Sequence, residues 1–271
     1  MGSNNWGKQF LTVYTVIVTA LSMRGETHND ANTNSFPGGT PSDYLDFTFQ
    51  IANNHIWRGI EVSDGLVMCN SLGIHDIRDY VKVGMWGGTN VTGNYKEFNF
   101  FAEFSVQKFS VAFWDTYNFS KDATYNNKEF FNYKARSTGR FLDCIVSYNF
   151  DPIFPLSLTW STIIWGRDRY ALYLPDSKQR YSTYVAAEVR CLDKQNWVID
   201  ASVGGTFTLA HKKLDKTTFY SARSGIIDIR GTVTRIVRIT DNYTLPVHTT
   251  VMFNPVGNNA YFQVGAVVFS F

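Results

Sequence analysis

Asn259-Ala260-Tyr261-Phe262-Gln263-Val264-Gly265-Ala266-Val267-Val268-Phe269-Ser270-Phe271 closes the sequence. Once the turn residues Gly257 and Asn258 are passed, the segment reads as a β-strand. It stops on an aromatic residue with no polar tail behind it. A terminal segment ordinarily frays into water. A closed barrel has a use for such an ending, because its last strand pairs with its first and leaves no edge. This strand is therefore expected to be the seam of a barrel.

Composition bounds the alternatives. The 271 residues suffice for one barrel or two small domains. Aromatic residues make up 16%, which argues against disorder. Lys and Arg number 25 against 23 Asp and Glu, so nothing points to nucleic acid. The mean hydropathy is slightly negative. That does not exclude a membrane barrel, in which only every second residue of a strand meets lipid. Cys69, Cys144 and Cys191 show no CxxC spacing and no nearby His. Metal binding and cofactors are not expected, and small apolar fillers or one disulfide plus a free thiol are the two readings.

Lys8 precedes an apolar run from Phe10 to Leu21, and Ala20-Leu21-Ser22 offers small residues where a signal peptidase reads. This is the layout of a secretory signal peptide over residues 1–22, followed by a polar linker over 23–43. A buried N-terminal helix or a loose anchor is the alternative. The run falls short of the ~20 apolar residues of a spanning helix, and no later segment approaches that length.

Period-two alternation predicts strands at about Leu45–Arg58, Leu66–His75, Tyr80–Trp86, Glu97–Val106, Phe109–Tyr117, Phe141–Tyr148, Leu156–Trp165, Tyr181–Cys191, Trp197–Leu209, Ile226–Thr240 and Thr244–Phe253, with the closing strand as the twelfth. Gly87, Gly88 and Gly93 read as a loop. Connections after the even strands are short, as at Gln107-Lys108 and Asp241–Tyr243. Several after the odd strands are long: Asn118–Thr138, Gly166–Arg180 and His211–Ser224. Short turns at one end and long loops at the other are what an up-and-down membrane barrel requires. The expected fold is all-β: an antiparallel, up-and-down transmembrane β-barrel of about 12 strands spanning residues 44–271.

The ending on Phe271 resembles that of bacterial outer-membrane proteins, whose terminal strand is read by the barrel-assembly machinery. Ile56-Trp57-Arg58-Gly59, Val83-Gly84-Met85-Trp86-Gly87, Leu245-Pro246-Val247 and Phe253-Asn254-Pro255 are similar to segments of a family of uncharacterised bacterial outer-membrane proteins. The resemblance spans most of the chain after Asp43 and implies a barrel in the outer membrane of a Gram-negative bacterium. It implies Phe271 as an insertion signal and brings no catalytic residues. The charged insertion between the fifth and sixth predicted strands departs from that pattern.

If the apolar faces meet lipid, the polar faces line a lumen holding Arg58, Glu97, Glu103, Asp143, Glu188, Arg190, Asp200, Asp228, Arg230, Arg238 and His248. Charge-balanced, this set reads as a polar pore for small solutes or as an ion-pair network filling a passive barrel. A barrel enzyme acting on lipid would need a nucleophile and base at the rim. His55, His75 and His248 are its candidates, but GxSxG is absent, so no enzyme is expected. A soluble, lipocalin-like binder of apolar ligands would show the same period with the faces reversed. His211-Lys212-Lys213 forms a basic patch suited to lipopolysaccharide. Trp57, Trp86, Trp160, Trp165, Trp197, Tyr148 and Tyr181 fall near strand ends, as aromatic girdles do.

Overall fold

A computed structural model describes residues 44–271 except 77, 171–173 and 211–216. The leader, the linker, Tyr173 and the His211-Lys212-Lys213 patch lie outside the described residues. Among the described residues, twelve strands form one closed antiparallel barrel, and two more form a separate hairpin. The barrel strands are β1 (Leu45–Ala52), β4 (Val67–His75), β5 (Val81–Asn90), β6 (Lys96–Val106), β7 (Phe109–Asn118), β8 (Arg140–Asn149), β9 (Leu156–Gly166), β10 (Ser182–Lys194), β11 (Trp197–Thr208), β12 (Gly225–Thr240), β13 (Tyr243–Asn254) and β14 (Asn259–Ser270). The hairpin is β2 (His55–Trp57) with β3 (Ile60–Ser63).

Each barrel strand pairs with its sequence neighbour, and β14 closes on β1 through Thr48↔Ser270 to Ala52↔Gly265. Phe271 extends the seam. Its N–H donates to the Phe47 carbonyl at 3.1 Å, and the Phe47 N–H donates back at 3.2 Å. The connections 76–80, 107–108, 150–155, 195–196 and 241–242, all short, fall at the end of the barrel where Phe271 extends the seam, while the short turns 91–95 and 255–258 lie at the other end. The connections 53–66, 119–139, 167–181 and 209–224 gather at the other end.

The alternation settles which side faces out. Met85, Phe104, Leu158, Trp160, Val203, Ile229, Val251 and Phe262 are exposed. Asn99, Ser110, Asp143, Ser161, Thr206, Asp228, Thr250 and Gln263, on the opposite faces of these or neighbouring strands, are buried. An exposed apolar belt around a polar interior is the inverse of a lipocalin and the signature of a membrane-spanning barrel. Interior polar groups satisfy one another: the Ser161 hydroxyl donates to Asp143 at 2.8 Å, and Thr232 and Thr250 are bonded at 2.9 Å.

Three expectations are corrected. The first strand does not run to Arg58. It ends at Ala52, and the chain then turns into the hairpin. Gly87 and Gly88 belong to β5 rather than to a loop, because Trp86 folds across Gly88. A Cβ there would lie 2.6 Å from the indole, so glycine is what permits the tryptophan to lie flat. Strict alternation over Ile226–Thr240 would put Ile227 on one face with Ile229, Val233, Val237 and Ile239, but Ile227 does not share that face. A register shift between Gly204 and Gly205 skips it, and it turns inward to full burial. The three cysteines sit apart on β4, β8 and β10, and all are free.

Candidate functional site: the lumen and its hairpin

The hairpin leaves β1 at the long-loop end and folds back inside the barrel. Its turn is Arg58-Gly59, with φ of 45° and 83°. Two left-handed residues between paired Trp57 and Ile60 make a type I′ turn, whose twist suits a tight hairpin. The tip crosses the lumen. Arg58 Nη2 lies 2.6 Å from Asp143 Oδ2 on β8, and Arg58 Nη1 donates to the Tyr220 hydroxyl at 2.6 Å. The guanidinium also packs near the rings of Trp57, Tyr184 and Tyr220. On the opposite wall, Asn254 Nδ2 donates to the Gly59 carbonyl at 2.8 Å. A Cβ on Gly59 would meet the Ile227 carbonyl at 2.2 Å, so the close approach to β12 requires glycine.

The base of the hairpin is held as well. Gln263 of β14 donates to the Asn54 carbonyl, and Asn90 of β5 donates to the Ser63 hydroxyl. His55 stacks between Trp86 and Tyr95 with ring centroids 5.7 and 5.5 Å away. Burial among these rings pushes its imidazole down to about 4, so it is neutral at pH 7. Tyr220, buried on the 209–224 loop, is pushed up by its burial.

Between the hairpin and the inner faces of β6, β7 and β8 lies a cavity of about 710 Å³. Trp57, Trp114, Tyr125, Phe141 and Phe219 supply aromatic walls, and Arg167, Arg169 and Arg180 of the 167–181 loop supply cationic ones. Arg167 lies 3.6 Å from the Tyr125 ring centroid. Arg169 is oriented by Ser177 and Gln179. Glu97, Asp122 and Asp143 also line the space.

The anticipated lumen residues fall into groups. Arg58 reaches Asp143 from the hairpin rather than from a barrel strand. Asp228 accepts from the Tyr184 hydroxyl at 2.9 Å and from Arg230 at 2.6 Å. Glu97 accepts from Asn99 and Asn118 near the long-loop end. Toward the seam end, Arg190 pairs with Asp200 at 3.0 Å and with Asp193 at 3.3 Å, while Glu103 accepts from Ser105. Glu188 is half-buried on β10, and His248 is buried over Gly265. Arg238 is not gathered with them. Its side chain is 66% exposed at the seam-end turn, where it pairs with Asp241.

His75 pairs with Asp79 and Asp46 at the seam end, far along β4 from the cavity. Trp57 and Trp86 belong to the interior rather than to a girdle, whereas Trp160, Trp197, Tyr148 and Tyr181 are exposed. Tyr184, Tyr220 and the three arginines escaped the sequence reading. For the hairpin a signal existed, since Arg58-Gly59 separates two short apolar segments, Ile56-Trp57 and Ile60-Glu61-Val62.

No family model matches this chain, and no curated protein does. Similar solved structures include the NanC porin, at 9% identity and a TM-score of 0.44, covering 82% of this chain and 98% of the porin. An outer-membrane channel from Pseudomonas putida F1 is 12% identical with a TM-score of 0.42, over 86% of this chain and 97% of the channel. A membrane protein from a study of in-meso crystallization is 9% identical with a TM-score of 0.43, over 84% and 83% of the two chains. The likeness is loose, and the assignment of this chain as a twelve-stranded barrel of the outer-membrane type rests on its own strand pairing and exposed apolar belt.

Proposed function

We propose that the protein is a small-solute channel in the outer membrane of a Gram-negative bacterium, gated at its outer mouth by the β2–β3 hairpin. The observation that carries this reading is the Arg58–Asp143 contact, which pins a short hairpin across a polar lumen. Strands of three and four residues are marginal as an isolated hairpin in water. The hairpin's position therefore depends on its docking contacts, which makes it a movable element rather than a wall. The cavity beside it is walled in part by the long loops and gives a solute somewhere to wait. The end that carries only short turns is the periplasmic one, and the end that carries the long loops is the outer one. Its other partners are the surrounding outer-membrane lipid and, through the Phe271 strand, the barrel-assembly machinery.

The test is conductance in a planar bilayer, comparing the parent with a variant in which residues 54–63 are replaced by a Gly-Ser linker. The expected result is large, stable steps in the variant and small or rare ones in the parent. Equal silence from both, with folding shown by heat-modifiable gel mobility, would refute the gate. It would favour a passive barrel, a reading that the paired charges Arg190–Asp200 and Arg230–Asp228 support.

A further inference from the structure

The connection 119–139 is shared between two sides of the wall. Residues 120 and 122–125 line the cavity, whereas Phe130 to Tyr133 fold down over the outer wall, across β6 to β9. Phe130 packs against Phe98 and Phe100, which point outward from β6. Tyr133 stacks on Trp165 of β9 at 6.3 Å and donates its hydroxyl to Asp115 of β7. Beneath this cover lies an ion pair on the outward face: Arg140 Nη1 is 2.9 Å from Asp115 Oδ2, and Arg140 is fully buried. A charge pair facing lipid would be costly, and the loop shields it.

The cover sits at the upper border of the apolar belt. On β7 the outward positions below it are Phe109, Val111 and Phe113, and on β8 they are Leu142, Cys144 and Val146. Position 115 is the first charged residue in the outward phase of β7. At this level the loop presents Phe131, 84% exposed, and Tyr133, 50% exposed. Water alone gives no reason to display an aromatic ring so fully, whereas the membrane interface does. Exposed Lys128, Lys134 and Arg136 accompany the rings. Against these three cations stands Glu129, whose carboxylate accepts from Asn126 and Asn132.

We propose that this collar is a binding site for the phosphorylated headgroup of lipopolysaccharide, with Phe131 and Tyr133 entering the acyl boundary and Lys128, Lys134 and Arg136 meeting the phosphates. The proposal rests on the outer-membrane reading. It concerns the outside of the barrel and is independent of whether the lumen conducts. It assigns a role to the charged insertion that distinguishes this chain from the proteins it resembles.

The probe is lipid A, offered to the detergent-purified protein beside its dephosphorylated form and scored by native mass spectrometry. The parent is expected to retain the phosphorylated lipid in preference to the dephosphorylated one. The combined Lys128→Ala, Lys134→Ala and Arg136→Ala variant is expected to lose on the order of 100-fold in affinity. Phe131→Ser is expected to weaken both lipids alike. Folding of each variant is read from heat-modifiable mobility. If the triple variant does not fold, Lys134→Ala alone carries the comparison, with a loss of about fivefold expected. Equal retention by parent and folded variant, or equal retention of the two lipids by the parent, would overturn the proposal. Fractionation of the native membranes tests the location separately, so a protein found outside the outer membrane would fail that reading without being confused with a failed collar.

Discussion

Arg58→Asn is the substitution that isolates the latch. Asparagine tolerates the left-handed conformation that position 58 adopts, and Asn-Gly is the preferred pair for a type I′ turn. The turn should therefore persist while the guanidinium is lost. What disappears is a 2.6 Å ion pair to Asp143 and a 2.6 Å hydrogen bond to Tyr220, between side chains only 4% and 2% exposed for the ion pair. Removing one partner of a buried pair costs about 3–5 kcal/mol, because the other charge stays buried. At about 1.4 kcal/mol per factor of ten, the ratio of undocked to docked hairpin should rise by a factor between about 10² and several times 10³. In a planar bilayer this would appear as frequent openings to the level reached when the hairpin is replaced. Asp143→Asn alone should behave similarly. The double variant should open less than the sum of the two singles, since no unpaired charge is left behind. If Arg58→Asn gates like the parent while folding normally, the latch argument fails.

The remaining predictions follow from the same frame. His55 has an ordinary value near 6.5 and is held at about 4 in the docked hairpin, so docking is fully stable above pH 6.5 and weakens as the pH falls toward 4. The loss across that window is about 3 kcal/mol, and conductance should rise with acidification. His55→Phe keeps a ring between Trp86 and Tyr95 and should abolish that rise; a rise that survives in the variant would remove His55 from the account. Val203→Arg places a charge on the exposed apolar face at mid-strand and should destabilise the barrel by about 2–4 kcal/mol in urea titrations of liposome-inserted protein. An unchanged midpoint would contradict the assignment of inside and outside. Deleting Phe271 removes two backbone hydrogen bonds across the seam, worth about 1 kcal/mol each, and a ring stacked on Phe47. Assembly followed by heat-modifiable mobility should slow, and parental kinetics would show that the seam does not depend on it.

The twelve barrel strands were legible because period-two alternation over eight or more residues is a strong signal, and lipid on one side with a wet lumen on the other sharpens it. The hairpin was hidden by the same rule. Strands of three and four residues carry too little periodicity, and the phase of Thr48 and Gln50 in β1 returns polar residues at Asn54 and Arg58 despite Ala52 and Ile56 between them. Thus Arg58 was placed in the lumen for a reason the structure replaces: it arrives on a turn, not on a wall. Ile227 was assigned to the wrong face because a bulge shifts phase by one residue, and nothing in the local residues announces it. The arginines of the 167–181 loop had no period to reveal them at all, since loops are positioned by what they pack against.

Asp115 and Arg140 show where sequence and structure inform each other most. Both occupy the phase that carries Phe113 and Leu142 on the strands below, so alternation alone would point two opposite charges at lipid. Such a break in an apolar face has two physical solutions: the strand has left the hydrocarbon, or something covers the charges. Here both apply. The break falls at the upper ends of β7 and β8, and Phe130 and Tyr133 of the intervening loop lie over the pair. A charged residue in the lipid phase of a strand, followed by a long loop rich in aromatics, therefore marks a loop that turns down along the wall. That pattern is present in the sequence between residues 115 and 140 and requires only that the breaks in alternation be read as carefully as the alternation itself.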